Sequence, residues 1–110
     1  MRKLIMLLLA CGCINAMASQ VRMTPFLTTQ SLKENLNSKD TAKYISAMSY
    51  IGGVADLLIK HGKICPPEGA TVAKAVFIVK EDLNIDSHQY RYLPAVTPIE
   101  YALTIKWSCN

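Results

Sequence analysis

The chain has 110 residues, with 12 Lys or Arg against 8 Asp or Glu, a net charge of +4, four cysteines and 51% hydrophobic residues. That length holds one domain around one core, with no room for a second. The basic residues are scattered singly, without aromatic-basic alternation, which excludes the electrostatic footprint of a nucleic-acid binder.

Residues 1–18 have the three-part layout of a secretory signal. Arg2 and Lys3 supply the charged start, Leu4 to Ala10 ("LIMLLLA") the apolar centre, and Ala16-Met17-Ala18 the small residues that place a cut before Ser19. The apolar run falls well short of the ~20 residues of a membrane-spanning helix. A lipoprotein signal is the competing reading: Leu8-Leu9-Ala10-Cys11 ends in a cysteine that acylation would fix to a membrane, leaving Cys11 and Cys13 in the mature chain.

A cut before Ser19 leaves 92 of the 110 residues, and without Arg2 and Lys3 the balance is ten basic residues to eight acidic, a net charge of +2. Two cysteines survive, Cys65 and Cys109. An even count in an exported chain reads as a disulfide, because the spaces beyond the inner membrane are oxidising. The bridge closes a loop of about 45 residues, which chain entropy values at roughly 4 kcal/mol.

Residues 19–30, "SQVRMTPFLTTQ", have no sustained period and read as an extended or loosely packed lead-in to a helical domain over 31–110. Leu32 and Leu36 in "SLKENLNS" predict one or two helical turns ending at Asn37-Ser38. The strongest helix follows in "DTAKYISAMSYIGGVADLLIKHG", where Ala42, Ile45, Met48, Ile51 or Gly52, Ala55 and Leu58 or Ile59 recur at spacings of three and four. Ser38 or Asp40 caps its start, and Gly62 stops it. Gly52-Gly53 inside this helix costs roughly 1 kcal/mol per glycine relative to alanine, which points to close helix-helix contact, with a kink as the alternative. Asp56, one turn further on, either bonds backbone of a neighbouring turn or faces water.

"CPPEG" turns the chain, since Pro66 and Pro67 forbid helix continuation. "ATVAKAVFIVKEDL" carries Val72, Ala75 or Val76, Val79 and Leu83 down one face; β-branched residues favour a strand at its centre, but no second strand exists to pair with it, so it reads as a buried helix. "IDSHQYRYLPAV" is polar and aromatic, with a short helical turn capped by Asp86 or Ser87 and ending at Pro94. Thr97-Pro98-Ile99-Glu100 has the form of a capping box opening a last helix with Ile99, Ala102, Leu103 and Lys106 or Trp107 inward. The fold class is therefore all-α: a small single-domain bundle of four or five helices with one disulfide.

Catalytic groupings are missing from the 92-residue chain. Its histidines are His61 and His88, and a Cys-His dyad would sacrifice the disulfide. His61 and Cys65 stand at metal-ligand spacing but lack two further ligands, so His61 reads as a helix cap and no metal or cofactor is expected. Glu81-Asp82 point apart on a helix and read as a solvated face. The chain is not expected to be an enzyme. The segment Asp86-Ser87-His88-Gln89-Tyr90-Arg91 is a candidate partner-binding loop, since Tyr and Arg dominate protein-protein contacts; a plain surface loop is the alternative.

Taken together, "YISAMSYIGGVADLL", "ICPPEGATVAKAVFIVKEDL" and the last helix ending in cysteine resemble the Rap/Tai family of periplasmic immunity proteins of type VI secretion systems. The resemblance spans about Tyr44 to Cys109. Its aromatic-x-Gly-x-x-Asp pattern falls on Tyr50 or Ile51, Gly52 or Gly53, and Asp56; its cysteine-proline-x-Gly turn on Cys65, Pro66 or Pro67, and Gly69; its terminal cysteine on Cys109. The double glycine and the polar Trp107-Ser108 depart from the pattern. The resemblance implies an all-helical, often dimeric protein that occludes the catalytic cleft of a peptidoglycan amidase toxin, with structural roles for Gly52, Gly53, Asp56, Pro66 and Gly69. The alternatives are an acid-stress periplasmic chaperone, which would need more titrating carboxylates at its interface, and an envelope adaptor.

Overall fold

The structure, a computed structural model, describes residues 26–85 and 91–110. Four helices follow one another among the described residues: α1 (Thr29–Leu36), α2 (Thr41–Lys60), α3 (Val72–Ile85) and α4 (Val96–Lys106). Each packs against the other three, giving an all-α bundle with a disulfide between Cys65 and Cys109. The expected leader, its expected cleavage site and Cys11 lie outside the described residues, as do Asp86 to Tyr90.

Helix α1 opens two residues earlier than its leucines suggest. The hydroxyl of Thr28 accepts the Ser31 N–H at 3.2 Å and caps it. Thr29 is buried, and both its N–H (2.9 Å) and its hydroxyl (3.0 Å) donate to the carbonyl of Leu93. With Gln30 N–H donating to Arg91 O (3.1 Å) and Ala95 N–H to Leu27 O (2.9 Å), the end of the expected loose lead-in is bonded to the approach to α4. That register was invisible in sequence because the partner lies over sixty residues away.

Helix α2 runs unbroken through both glycines. Asp40 caps it, its carboxylate accepting the Ala42 N–H at 2.9 Å. At the other end Gly62, at φ +67°, closes a Schellman motif: Lys63 N–H reaches Leu58 O (2.9 Å) and Gly62 N–H reaches Ile59 O (3.0 Å). The core face is Ala47, Ile51, Ala55 and Leu58, with Tyr44 and Met48 alongside. Ala42 and Ile45, expected inward, are exposed. Two neighbouring rows satisfy the same spacing at this end, and the core takes the row through Tyr44 and Ala47.

In the turn to α3, Ala70 N–H donates to Pro67 O at 3.0 Å, with Gly69 at φ +81° supplying the left-handed third position. Thr71 caps α3, its hydroxyl accepting Lys74 N–H at 3.2 Å. The segment read as a buried helix is a helix, but only one face of it is buried: Ala75, Val76, Val79 and Leu83 lie in the core, Val72 of the expected face is half exposed, and Phe77 and Ile85 lie in water.

Helix α4 departs from the expected capping box. It starts at Val96, and no side chain caps it. Thr97 N–H donates to Pro94 O (3.0 Å) and Ile99 N–H to Ala95 O (3.4 Å), so Pro98 occupies the third helical position, where a missing N–H leaves no intrahelical bond unmade. The contacts of Leu27 and Thr29 with residues 93–95 fix where the turn begins. Glu100 is consequently free to meet Lys63 at 3.5 Å on the surface.

The core joins Leu32 and Leu36 of α1 to Ile51, Val79, Ile99 and Leu103, each contributing about 1.5–3 kcal/mol by leaving water. At its lower end Ile64 and Trp107 are buried beside the staple, and Cys65 N–H donates to Trp107 O at 2.7 Å.

Candidate functional site

Among the described residues, no group of three or more His, Cys, Asp or Glu could hold a metal ion. Both cysteines are bonded to each other, and His61 is the exposed C-cap residue of α2. His88 lies outside the described residues.

What the molecule offers is surface. Along the seam between α3 and α4, two adjoining hollows of about 360 and 190 Å³ share Ile78 and Lys106. Ala73, Phe77 and Trp107 line the first, Ile85, Ala102 and Ile105 the second. Phe77 is 61% exposed, Ile105 62% and Ile85 84%. Such apolar side chains in one continuous trough are the signature of an interaction site. Its polar margin is Lys74 and Lys106 toward one end and Glu81 and Asp82 toward the other. Glu81 stays in water as expected, but Asp82 sinks partly into the seam, and the loss of solvation raises its pKa above the ordinary carboxylate value.

The candidate loop leaves the bundle at the end of this seam. Its N-terminal root is Ile85, and Asn84 accepts from the Asn37 side chain across the bundle at 3.4 Å. Its C-terminal root is Arg91 to Leu93, bonded through backbone to α1, with Tyr92 84% exposed. Of the six candidate contact residues only Arg91 falls within the described residues; Asp86, Ser87, His88, Gln89 and Tyr90 do not.

The remaining singled-out residues gather elsewhere. Gly52, Asp56 and Pro66 line a third hollow of about 130 Å³, together with Ala70, Val72 and Trp107. Gly53 points into open space, and Gly69 serves the turn beside the hollow. Asp56 is exposed and makes no hydrogen bond or ion pair with any described residue.

The seam escaped the sequence reading, although a signal was present. Phe77 and Ile85 lie two helical turns apart and off the core stripe of α3, and Tyr101 and Ile105 repeat at four residues off that of α4. Apolar residues on a second face mark a helix that meets something besides its own core.

The described residues thus combine a capped, bonded helical scaffold with an exposed apolar trough along α3 and α4. The family model of the Rap1a immunity proteins matches residues 7–109. The chain belongs to that family. No curated protein matches it. Membership identifies a toxin immunity protein, and the expected resemblance is met at the level of the family. None of the helices among the described residues of this immunity protein is long and apolar enough to cross a membrane.

Proposed function

We propose that this immunity protein acts in the periplasm, where it binds a peptidoglycan amidase toxin delivered by a type VI secretion system and covers its catalytic cleft. The observation that supports this reading is the exposed apolar seam of α3 and α4 leading into the segment 86–93, whose two roots are tied to the bundle. The seam supplies apolar area for docking and the segment supplies the Tyr and Arg side chains that dominate protein interfaces. Inhibition by coverage asks for no proton transfer or nucleophile, in keeping with the chemistry of the scaffold. Export and oxidation suit the staple, which needs a compartment that keeps thiols paired.

The test is a peptidoglycan digest by the amidase toxin that this reading expects from the neighbouring reading frame. Addition of the oxidised, leader-free chain is expected to stop cleavage at a stoichiometric ratio, while a glycosidase acting on the same peptidoglycan continues. Continued cleavage at excess chain would reject the reading. Alanine at Tyr90 and Arg91 is expected to weaken inhibition; unchanged inhibition would move the contact away from that segment.

A further inference from the structure

The hollow beside Gly52 has features the scaffold does not require. Four stretches of chain meet there: one face of α2, the proline turn, the start of α3, and Trp107 next to the staple. Its wall is apolar, with Ala55, Pro66, Ala70 and Val72, and its volume of about 130 Å³ approaches the ~150 Å³ of an apolar cavity that admits a benzene ring.

Gly52 is the first sign of a purpose. A Cβ there would meet Val72 Cγ1 at 3.5 Å and Cγ2 at 3.7 Å, which is ordinary van der Waals contact. Alanine would therefore fit the helix packing and improve the helix, yet the position is glycine. A methyl group at 52 would instead take up space in the hollow that Gly52 lines. Asp56, four residues further along the same face, is the second sign. Its carboxylate stands in the same lining, and Lys60, one turn beyond it, does not pair with it.

An apolar slot with one unpartnered carboxylate suits a side chain that is apolar along its stem and cationic at its tip, because lysine and arginine bury their methylenes while keeping the charge at a polar edge. We infer that the hollow formed by Gly52, Asp56, Pro66 and Trp107 is an anchor pocket for one lysine or arginine side chain of the toxin. This rests on the immunity reading for the identity of the partner. The pocket chemistry can be tested without it.

The probes are n-butylammonium and n-butylguanidinium, titrated at pH 7 into the ¹⁵N-labelled, oxidised chain. A probe of this size is expected to saturate at a dissociation constant on the order of 10 mM. The shifted amides should be those of Gly52, Asp56, Ala70 and Thr71, with the Trp107 indole. A chain of net positive charge does not attract cations generally, so a saturable response reports a local site. 1-Butanol, equal in length to n-butylammonium and uncharged, should bind at least fivefold more weakly than that amine, and Asp56→Asn should reduce the amines to the level of the alcohol. Gly52→Ala should lose the response while melting no lower than the parent. Shifts that stay linear, spread over the surface, or survive Asp56→Asn would overturn the pocket.

The partner is tested separately with the amidase. Asp56→Asn is expected to lower its affinity ten- to hundredfold at an unchanged melting temperature, the range for a lost hydrogen bond to a charged group. Undiminished affinity in a variant that no longer takes the amines would refute the anchor role. Failure of the parent chain itself to bind amidase would reject the proposed function and leave the amine site standing.

Discussion

The disulfide provides the clearest quantitative expectation. Cys65 and Cys109 are 44 positions apart, so the bridge closes a loop containing the whole of α3 and α4. For a loop of that size the chain-entropy relation gives about 13 cal/mol/K, or about 4 kcal/mol at 25 °C. Both cysteines are exposed, so replacing them opens no cavity in the core. The neighbouring contacts, Cys65 N–H to Trp107 O and the burial of Ile64 and Trp107, do not depend on the sulfurs. The double variant Cys65→Ala/Cys109→Ala should therefore keep its fold and lose stability almost entirely through a less restricted unfolded chain. Urea unfolding of parent and variant, followed by helical circular dichroism, should show a loss of about 4 kcal/mol, and the melting point should drop by roughly 15–30 °C. A loss below about 1 kcal/mol with an unchanged denaturant slope would refute the entropic account of the staple.

Gly62→Ala places a Cβ at φ +67° and should cost roughly 1–2 kcal/mol, read as a lower urea midpoint with the same slope. Asp82 has a raised pKa in the folded state, so the native chain holds its proton to a higher pH than the unfolded chain does, and this residue's contribution to stability falls as pH rises through that window. Asp82→Asn should accordingly be more stable than the parent at pH 7, with the difference closing as pH is lowered below the ordinary aspartate pKa of about 3.9; a difference independent of pH would contradict the assignment. Phe77→Lys on the seam should leave the melting temperature within about 2 °C, since the side chain is mostly in water, while abolishing inhibition of the amidase.

The elements legible in sequence were those whose signals are local. Helix α2 announced itself through an apolar stripe over twenty residues, an acidic cap and a glycine stop, all read within the helix itself. The staple followed from counting the cysteines that remain once the expected leader is set aside. Helix α4 was placed correctly but its first turn was not, because Thr97-Pro98-Ile99-Glu100 is a sound local start that loses to contacts made by Leu27 and Thr29 from the far end of the chain. The same non-local pairing hid the ordered end of the lead-in. Of the candidate site, Gly52, Asp56 and Pro66 were picked out by composition and spacing, but their convergence on one hollow depends on how α2 crosses the start of α3, which spacing does not encode. The seam was missed because Phe77 and Ile105 look like spare core residues until the core is seen to be full.

The roots of the 86–93 segment limit how it can engage a partner. Five residues, 86 to 90, join Ile85 to Arg91 across six virtual bonds, a contour of roughly 20 Å when fully extended. Covalent geometry alone therefore bounds how far from Ile85 and Arg91 any contact made by residues 86–90 can lie. Coverage of a deeper site would require α3 and α4 to press against the rim, which places Phe77 and Ile105 in the contact and accounts for their lying in water in the free protein. Because Arg91 and Leu93 are bonded through backbone to α1, and Asn84, next to Ile85, to its C-cap Asn37, little backbone freedom is lost at the roots on binding, and more of the interface energy is left for affinity.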